Sequence, residues 1–271
     1  MPSREEVDAA LAAAVEADLV EHVARLHEPP FGEVHREDGA VWFLTGRPEP
    51  QANGVLRADL AGADPVAEVA RLLAPFRSRA LPMMWWLFTP VDGPPARVRR
   101  ALEANGLVSD SDRPGMGVEL ASLRRPPMPA GASIVRVRDE HGFAEWAAVV
   151  GRAFEDDGFS DSASVRAGLA MGFGDHVPFR HFVCRIEGRP VGASTLSTGA
   201  GVAGLANIAT VPEHRGKGIG VAVAAAALED AIGQGLRLGA LSADQAGIRV
   251  YEKLGFHAVS RHLTYVADPP D

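Results

Sequence analysis

Apolar side chains recur every three or four residues near the start of the chain, and this spacing predicts one long amphipathic helix that ends near the segment HEPPFG. Its opposite face is acidic, which favours packing on a neighbouring domain over contact with an anionic membrane. The rest of the first half alternates between strand and helix patterns, with strands at 33–37, 40–46, 82–88 and near 115–120, and helices at about 64–76 and 95–105.

A proline-rich segment interrupts this pattern in the middle of the chain. Three prolines lie between residues 124 and 132, where neither a helix nor a strand ladder can continue. The sequence therefore predicts a first lobe at 1–125, including the N-terminal helix, a linker at 126–132, and a second domain at 133–271.

The second half has a clearer pattern. It reads as a strand, two helices, a three-strand meander, a helix, a strand, a helix and a last strand that closes the domain. This order predicts a mixed sheet with helices on both faces, in the α/β class. The corresponding ranges are 133–139, 140–154, 161–172, 180–188, 189–197, 204–211, 218–232, 238–244, 247–255 and 257–267.

Composition and charge exclude several classes of protein. The formal net charge of -8 argues against a nucleic-acid partner, because phosphate binding requires a basic surface. A single cysteine, Cys184, excludes a disulfide framework and a cysteine-ligated zinc cluster, and no pattern of side chains suggests another metal site. The start of the chain has no signal-peptide pattern, and no apolar run could span a membrane. We therefore expect a cytoplasmic protein, and a homodimer remains open.

The segment VPEHRGKGIG, at 211–220, lies between a predicted strand and an alanine-rich predicted helix. Glycine is costly near a helix, but it lets an anion approach the unpaired N–H groups of the first turn. Arg215 and Lys217 add two positive charges, which favours a ligand with more than one negative charge. A nucleotide triphosphatase loop would need Ser or Thr after the lysine, where Gly218 stands. A glycine-rich solvated turn is the alternative interpretation.

The loop, followed about thirty residues later by YEKLGF, resembles the acetyl-CoA signature of the GCN5-related N-acetyltransferases, the GNAT superfamily. The resemblance covers about 131–267 and implies the acyl-CoA N-acyltransferase fold, with acetyl-CoA as cosubstrate and a catalytic domain at 133–271. It implies that the end of the preceding strand bonds the pantetheine arm through its backbone, and that the loop holds the pyrophosphate. The residues concerned are Ala209, Thr210 and Val211 on the strand, and Arg215, Gly216, Lys217, Gly218, Ile219 and Gly220 in the loop.

The same resemblance assigns Tyr251 as the general acid that protonates the sulfur of CoA during direct transfer in a ternary complex. Some relatives carry a glutamate base on the strand before the loop, whereas GLANIATV offers only Asn207 and Thr210, so a base that acts through water is expected. Asp156 and Asp157 lie in the loop where the family binds acceptors, and they would attract an ammonium group. A solvated acidic loop accounts for them equally.

The first half resembles a degenerate copy of the second, as in tandem GNAT proteins. Leu102 stands at the position of Tyr251, and no glycine loop precedes the helix at 64–76, so this lobe is expected to bind no pyrophosphate in that way. The sequence thus predicts an acetyl-CoA-dependent N-acetyltransferase that acts on a primary amine of a small molecule. The alternative is a CoA-binding sensor or interaction protein with little or no turnover.

Overall fold

The helices and strands form close to the positions that the pattern predicts. The computed structural model describes residues 3–156 and 158–268. In the first half these elements are α1 Arg4–Leu26, β1 Glu33–Glu37, β2 Ala40–Leu44, β3 Asn53–Ala58, α2 Pro65–Arg77, β4 Met83–Thr89, α3 Ala96–Ala104 and β5 Val108–Glu119. In the second half they are β6 Ala132–Arg136, α4 Glu140–Phe154, α5 Ala163–Met171, β7 Phe179–Ile186, β8 Arg189–Ser197, β9 Ala203–Thr210, α6 Ile219–Gly233, β10 Leu238–Ser242, α7 Ile248–Leu254 and β11 His257–Ala267.

The pattern did not predict β3, because its first residue is an asparagine. Asn53 is buried, and its side chain accepts hydrogen bonds from the N–H groups of Thr45 and Gly46 at 3.1 Å. Its amide donates to the backbone carbonyls of Arg47 and Pro82. A residue type that usually indicates a turn is here a fully bonded buried group, which removes the cost of burying it.

The chain divides into two compact units whose boundaries differ from the predicted domains. Unit 1 comprises Met1–Leu19 and Met116–His257, and unit 2 comprises Val20–Gly115 and Ala258–Asp271. The N-terminal helix therefore begins in the unit of the second half, and the predicted linker at 126–132 lies inside that unit. The last strand was expected to close the second domain, and this expectation is wrong.

Strand pairing explains the position of the last strand. In unit 2, β11 pairs antiparallel with β4, from Arg261 opposite Thr89 to Ala267 opposite Met83. Its inward side chains join the unit 2 core, which also contains Trp85 and Leu102. The hydrophobic pattern predicts that a segment is a strand, but it does not identify the partner, since any strand with a matching apolar face satisfies it.

Unit 1 contains the mixed sheet in the order β10, β9, β8, β7, β6. The pairs β6–β7, β7–β8 and β8–β9 are antiparallel, whereas β9 and β10 are parallel. Helices α4 and α6 supply much of its core, with Trp146, Val223, Ala224 and Leu228 completely buried. Unit 2 has the strand order β1, β2, β3, β4, β11, β5, and helices α2 and α3 contribute to its core.

Leu263→Ala tests the assignment of β11 to unit 2. Leu263 is buried in the unit 2 core, so removing its side chain leaves a cavity there. We expect the free energy of unfolding to fall by about 2–5 kcal/mol, measured by urea denaturation. Val266→Ala, on the same strand but only half-buried, is the matched control and should cost less. An equally small loss for both variants would contradict the assignment.

Candidate active site

The predicted glycine loop lies between β9 and α6. A short 3-10 turn at Pro212–His214 leads into it, and Gly218 is the N-cap residue of α6. Gly216 and Gly218 have φ angles of +77° and +81°, which side chains rarely adopt, and a Cβ at either position would meet no atom within 4 Å. Internal packing therefore does not require these glycines. They provide the turn and leave an open surface over the backbone.

The first turn of α6 supplies hydrogen-bond donors to this surface. The first helical bond runs from the Ala222 N–H to the Gly218 carbonyl, so the N–H groups of Ile219, Gly220 and Val221 precede the helical ladder. They lie at the positive end of the helix dipole. A groove of about 270 Å³ opens here, and α7 lines it together with the loop. Its lining residues are Thr210, His214, Arg215, Gly216, Gly218, Ile219, Gly220, Val221, Ala246, Val250 and Lys253.

Two predicted site residues hold the loop in position. The Arg215 guanidinium donates to the Thr210 carbonyl at 3.3 Å and to the Ala153 carbonyl, at the end of α4, at 2.6 Å. The Val211 N–H donates to the Val191 carbonyl at 3.0 Å. These backbone groups of Thr210 and Val211 are thus bonded within the chain, whereas Lys217 is exposed and Ala209 is buried.

Strand β9 carries a bulge next to the loop. Ala193 on β8 lies opposite Ala209 and Thr195 lies opposite Ala206, so β9 has one extra residue between these pairs. Asn207, within the bulge, has a φ of +51°. Within the described residues, β9 pairs with β10 only at Ala203 and Gly204, and the rest of β9 runs free of that neighbour. The end of β9 therefore has an edge that a ligand can bind.

Tyr251 lies on α7, whose neighbouring residues line the same groove as the loop. Its ring packs edge-on against Phe256, with centroids 6.1 Å apart. Burial, and secondarily the negative charge of Asp244, raise the pKa of the Tyr251 phenol. The Asp244 carboxylate in turn accepts a hydrogen bond from the Gly247 N–H at 2.6 Å at the start of α7. Tyr251 is therefore held as a protonated phenol.

Asp156 lies in the loop after α4, and Asp157 lies outside the described residues. The Asp156 carboxylate is exposed and accepts a hydrogen bond from the Gly158 N–H at 3.0 Å. It lines a largely apolar groove of about 870 Å³ along α4 together with Glu140 and Glu155, and with Arg152, whose guanidinium pairs with Glu213 at 2.6 Å. This arrangement offers negative charge beside apolar surface.

The corresponding crossing in unit 2 differs in its chemistry. Asp64 caps α2, and its carboxylate accepts a hydrogen bond from the Ala67 N–H at 3.0 Å. Pro65 follows and has no N–H to offer. Leu102, at the position of the tyrosine, is completely buried in the unit 2 core. The helix start is thus already occupied by a carboxylate that would repel phosphate.

Sequence reasoning missed a buried carboxylate in unit 1. Asp18 on α1 is only 4% exposed and accepts a hydrogen bond from the Ser197 hydroxyl at the end of β8. A side chain at Gly204, opposite Ser197 on β9, would overlap the Asp18 carboxylate. The available signal was that Asp18 continues the buried stripe of Leu11 and Val15 at helical spacing.

Two further findings concern the described part of the chain, 3–156 and 158–268. No group of three or more His, Cys, Asp or Glu side chains there could hold a metal ion. Among the helices described, none combines the length and apolar composition needed to cross a membrane.

Comparison with known proteins identifies the fold. Residues 142–256 match the model of the acetyltransferase (GNAT) family, which confirms the resemblance found in the sequence. A GCN5-related N-acetyltransferase from Kribbella flavida is similar in structure, with a TM-score of 0.73 and 20% identity over 96% of both chains. No curated protein matches the chain.

Other solved structures cover both halves of the chain. A tandem GNAT protein from the clavulanic acid biosynthesis pathway has a TM-score of 0.64 and 19% identity, over 93% of this chain and 89% of its own. A GCN5-related N-acetyltransferase from Sphaerobacter thermophilus has a TM-score of 0.56 and 17% identity, over 96% and 93% respectively. The chain therefore has the acyl-CoA N-acyltransferase fold.

Proposed function

We propose, on the premise that the chain carries a GNAT acetyltransferase domain at residues 142–256, that it transfers the acetyl group of acetyl-CoA to a primary amine of a small molecule. The observation that carries this proposal is the groove shared by the glycine loop and α7. The two sequence segments that resemble the family's cofactor signature line one groove, although about thirty residues separate them.

The loop fits the pyrophosphate of CoA. Open space above Gly216 and Gly218 allows phosphate oxygens to approach the backbone, and the N–H groups of the first turn of α6 point outward to receive them. Lys217 adds a full positive charge from an exposed position, and Arg215 fixes the loop through the carbonyls of Thr210 and Ala153. The free edge of β9 at Ala209 supports binding of the pantetheine arm.

Acetyl-CoA supplies a reactive thioester, and the chain has to orient it and manage two protons. Tyr251 is the proton donor for the leaving sulfur in this proposal. The partly buried phenol, whose pKa is raised, stays protonated at neutral pH and can donate to the negative charge that develops on the departing sulfur. The acidic lining of the α4 groove, including Asp156, supports binding of a cationic acceptor that has apolar parts. Asp157 belongs to the same predicted acceptor loop.

Release of free CoA thiol from acetyl-CoA, measured across a panel of small primary amines, tests this function. We expect amine-dependent release together with acetylated product, detected by mass spectrometry. Acetyl-CoA binding should be measured separately by calorimetry. Tight binding without release by any amine would favour the sensor alternative, and absence of binding would contradict both.

A further inference from the structure

We propose that Asp18, on the N-terminal helix α1, takes up the proton of the acceptor amine, in place of a carboxylate carried by strand β9. This inference rests on the proposed acetyl transfer. It concerns a residue outside the segment that matches the GNAT family model, which begins at residue 142. The strand before the loop has no carboxylate of its own, since its polar residues are Asn207 and Thr210.

The first argument is the place of the carboxylate. Asp18 lies over β9 at Gly204, and a Cβ at Gly204 would overlap both the Asp18 carboxylate and the Ser197 hydroxyl. The carboxylate of α1 thus occupies the volume into which a side chain of β9 would extend at this position. Gly204 has no positive φ that would require glycine, so the space for Asp18 is what glycine provides.

The second argument is that polar groups continue from Asp18 along the sheet. Thr195 and Ser197 are buried and share one face of β8, because strand side chains alternate. Thr195 bonds to Nδ1 of His181 at 3.0 Å and lies 3.5 Å from the amide nitrogen of Asn207 in the β9 bulge. A buried polar row therefore runs from Asp18 to the bulge. At about 3.3 Å per residue, Gly204 and Asn207 are roughly 10 Å apart along the strand, so a proton that passes from the bulge to Asp18 has to be relayed through water or the hydroxyl groups of this row.

The third argument is the energetic cost of burying the Asp18 carboxylate. An ionised carboxylate is expensive to bury without a cationic partner. Burial raises the pKa of Asp18 to about 7, although the Ser197 hydrogen bond lowers it, so the group exchanges its proton near neutral pH. The same buried row contains one further titratable side chain among the contacts named above, His181 on β7, which bonds to Thr195. A base works best when its pKa is close to the working pH.

The proton balance of the step is complete. The amine nitrogen forms a bond to the acetyl carbon, and the bond between that carbon and the CoA sulfur breaks. The proton lost by the amine passes through a water to the Asp18 carboxylate. The proton of the Tyr251 phenol goes to the leaving sulfur, so that the products are the amide and the free thiol. The Tyr251 phenolate then regains a proton from water and the protonated Asp18 releases one to water, which restores both groups.

Asp18→Asn is the test, because it keeps the shape and removes the base. We expect kcat to fall about 100-fold at pH 7, with unchanged affinity for acetyl-CoA and without the inflection near pH 7 of the wild-type pH profile. Ser197→Ala is the matched variant. It keeps the carboxylate and removes the hydrogen bond that lowers its pKa, so the inflection should move to higher pH, with a lower rate at pH 7 and a rate that recovers above the new inflection.

Two further measurements separate this role from a structural one. Carbon-13 NMR of labelled aspartate should show one carboxyl group that titrates near pH 7 in the wild type and is absent from Asp18→Asn. Because the pKa of Asp18 in the folded protein lies above the unfolded value of 3.8, ionisation of Asp18 lowers the free energy of unfolding as pH rises from about 4 to 7. The Tm of Asp18→Asn should therefore exceed that of the wild type at pH 8, and the difference should vanish near pH 4.

The outcomes are distinct. Retained kcat and a retained inflection in Asp18→Asn would overturn the role of Asp18 alone, and so would a loss of rate accompanied by a lower Tm at pH 8. Absence of acetyl transfer by the wild-type chain would overturn the proposed function and this role with it.

Discussion

Tyr251→Phe is expected to lower kcat for acetyl transfer by about 100-fold or more, while acetyl-CoA affinity stays unchanged. The substitution removes only the hydroxyl and keeps the ring, whose centroid lies 6.1 Å from that of Phe256. Steady-state kinetics with the amine found in the panel would give kcat, and calorimetry would give the affinity. A deeper loss at high pH is not expected, because the raised pKa of the phenol keeps it protonated well above neutral pH.

The chain offers a matched control for this substitution. Tyr265 is its second tyrosine, buried on β11 in unit 2 and also subject to a raised pKa from burial. Tyr265→Phe removes the same atom from a buried ring and should leave kcat unchanged. A Tyr251→Phe variant that is as active as Tyr265→Phe would show that the proton reaches the sulfur from another donor.

Gly218→Asp is expected to weaken acetyl-CoA binding by at least about 100-fold, because it places a carboxylate at the helix start where the pyrophosphate would bind. Unit 2 already has this arrangement, with Asp64 as the cap of α2. The variant would thus convert the loop of unit 1 toward the chemistry of unit 2. Calorimetric titration with acetyl-CoA is the direct measurement.

Backbone strain has to be separated from charge in this experiment. Gly188, in the turn between β7 and β8, has a φ of +78° and, like Gly218, open space where a side chain would be placed. Gly188→Asp imposes the same backbone cost without a proposed ligand nearby. If both variants bind acetyl-CoA equally, the pyrophosphate does not lie on the loop at Gly218.

Local elements of the fold were predictable, since helix spacing and strand alternation are local signals. Helix α4 has the predicted bounds, and its start follows from the Asp139 side chain, which accepts a hydrogen bond from the Gly142 N–H. Strand β3 was missed because only the tertiary structure supplies the four bonds of Asn53. The pairing of β11 with β4 was also missed, because the choice of partner is made between segments that lie far apart in the chain.

The candidate site shows the same contrast. The loop around Gly218 combines its signals within ten residues and could be predicted together with Tyr251. Asp18 could not, because it meets Ser197 across 179 positions and its environment depends on the absence of a side chain at Gly204. A single polar residue within an apolar stripe is visible in the sequence, but the residue that it contacts is not.

The division of the two units has a consequence for synthesis of the chain. Each unit is built from two segments that are separated along the chain, and β11 is synthesised long after β4, its partner in unit 2. Until β11 has been synthesised, β4 has no partner on one side, and an unpaired strand edge is a site for association with other chains. Neither unit can therefore complete its folding as an independent nascent domain, and a gene divided at residue 125 would encode two incomplete products.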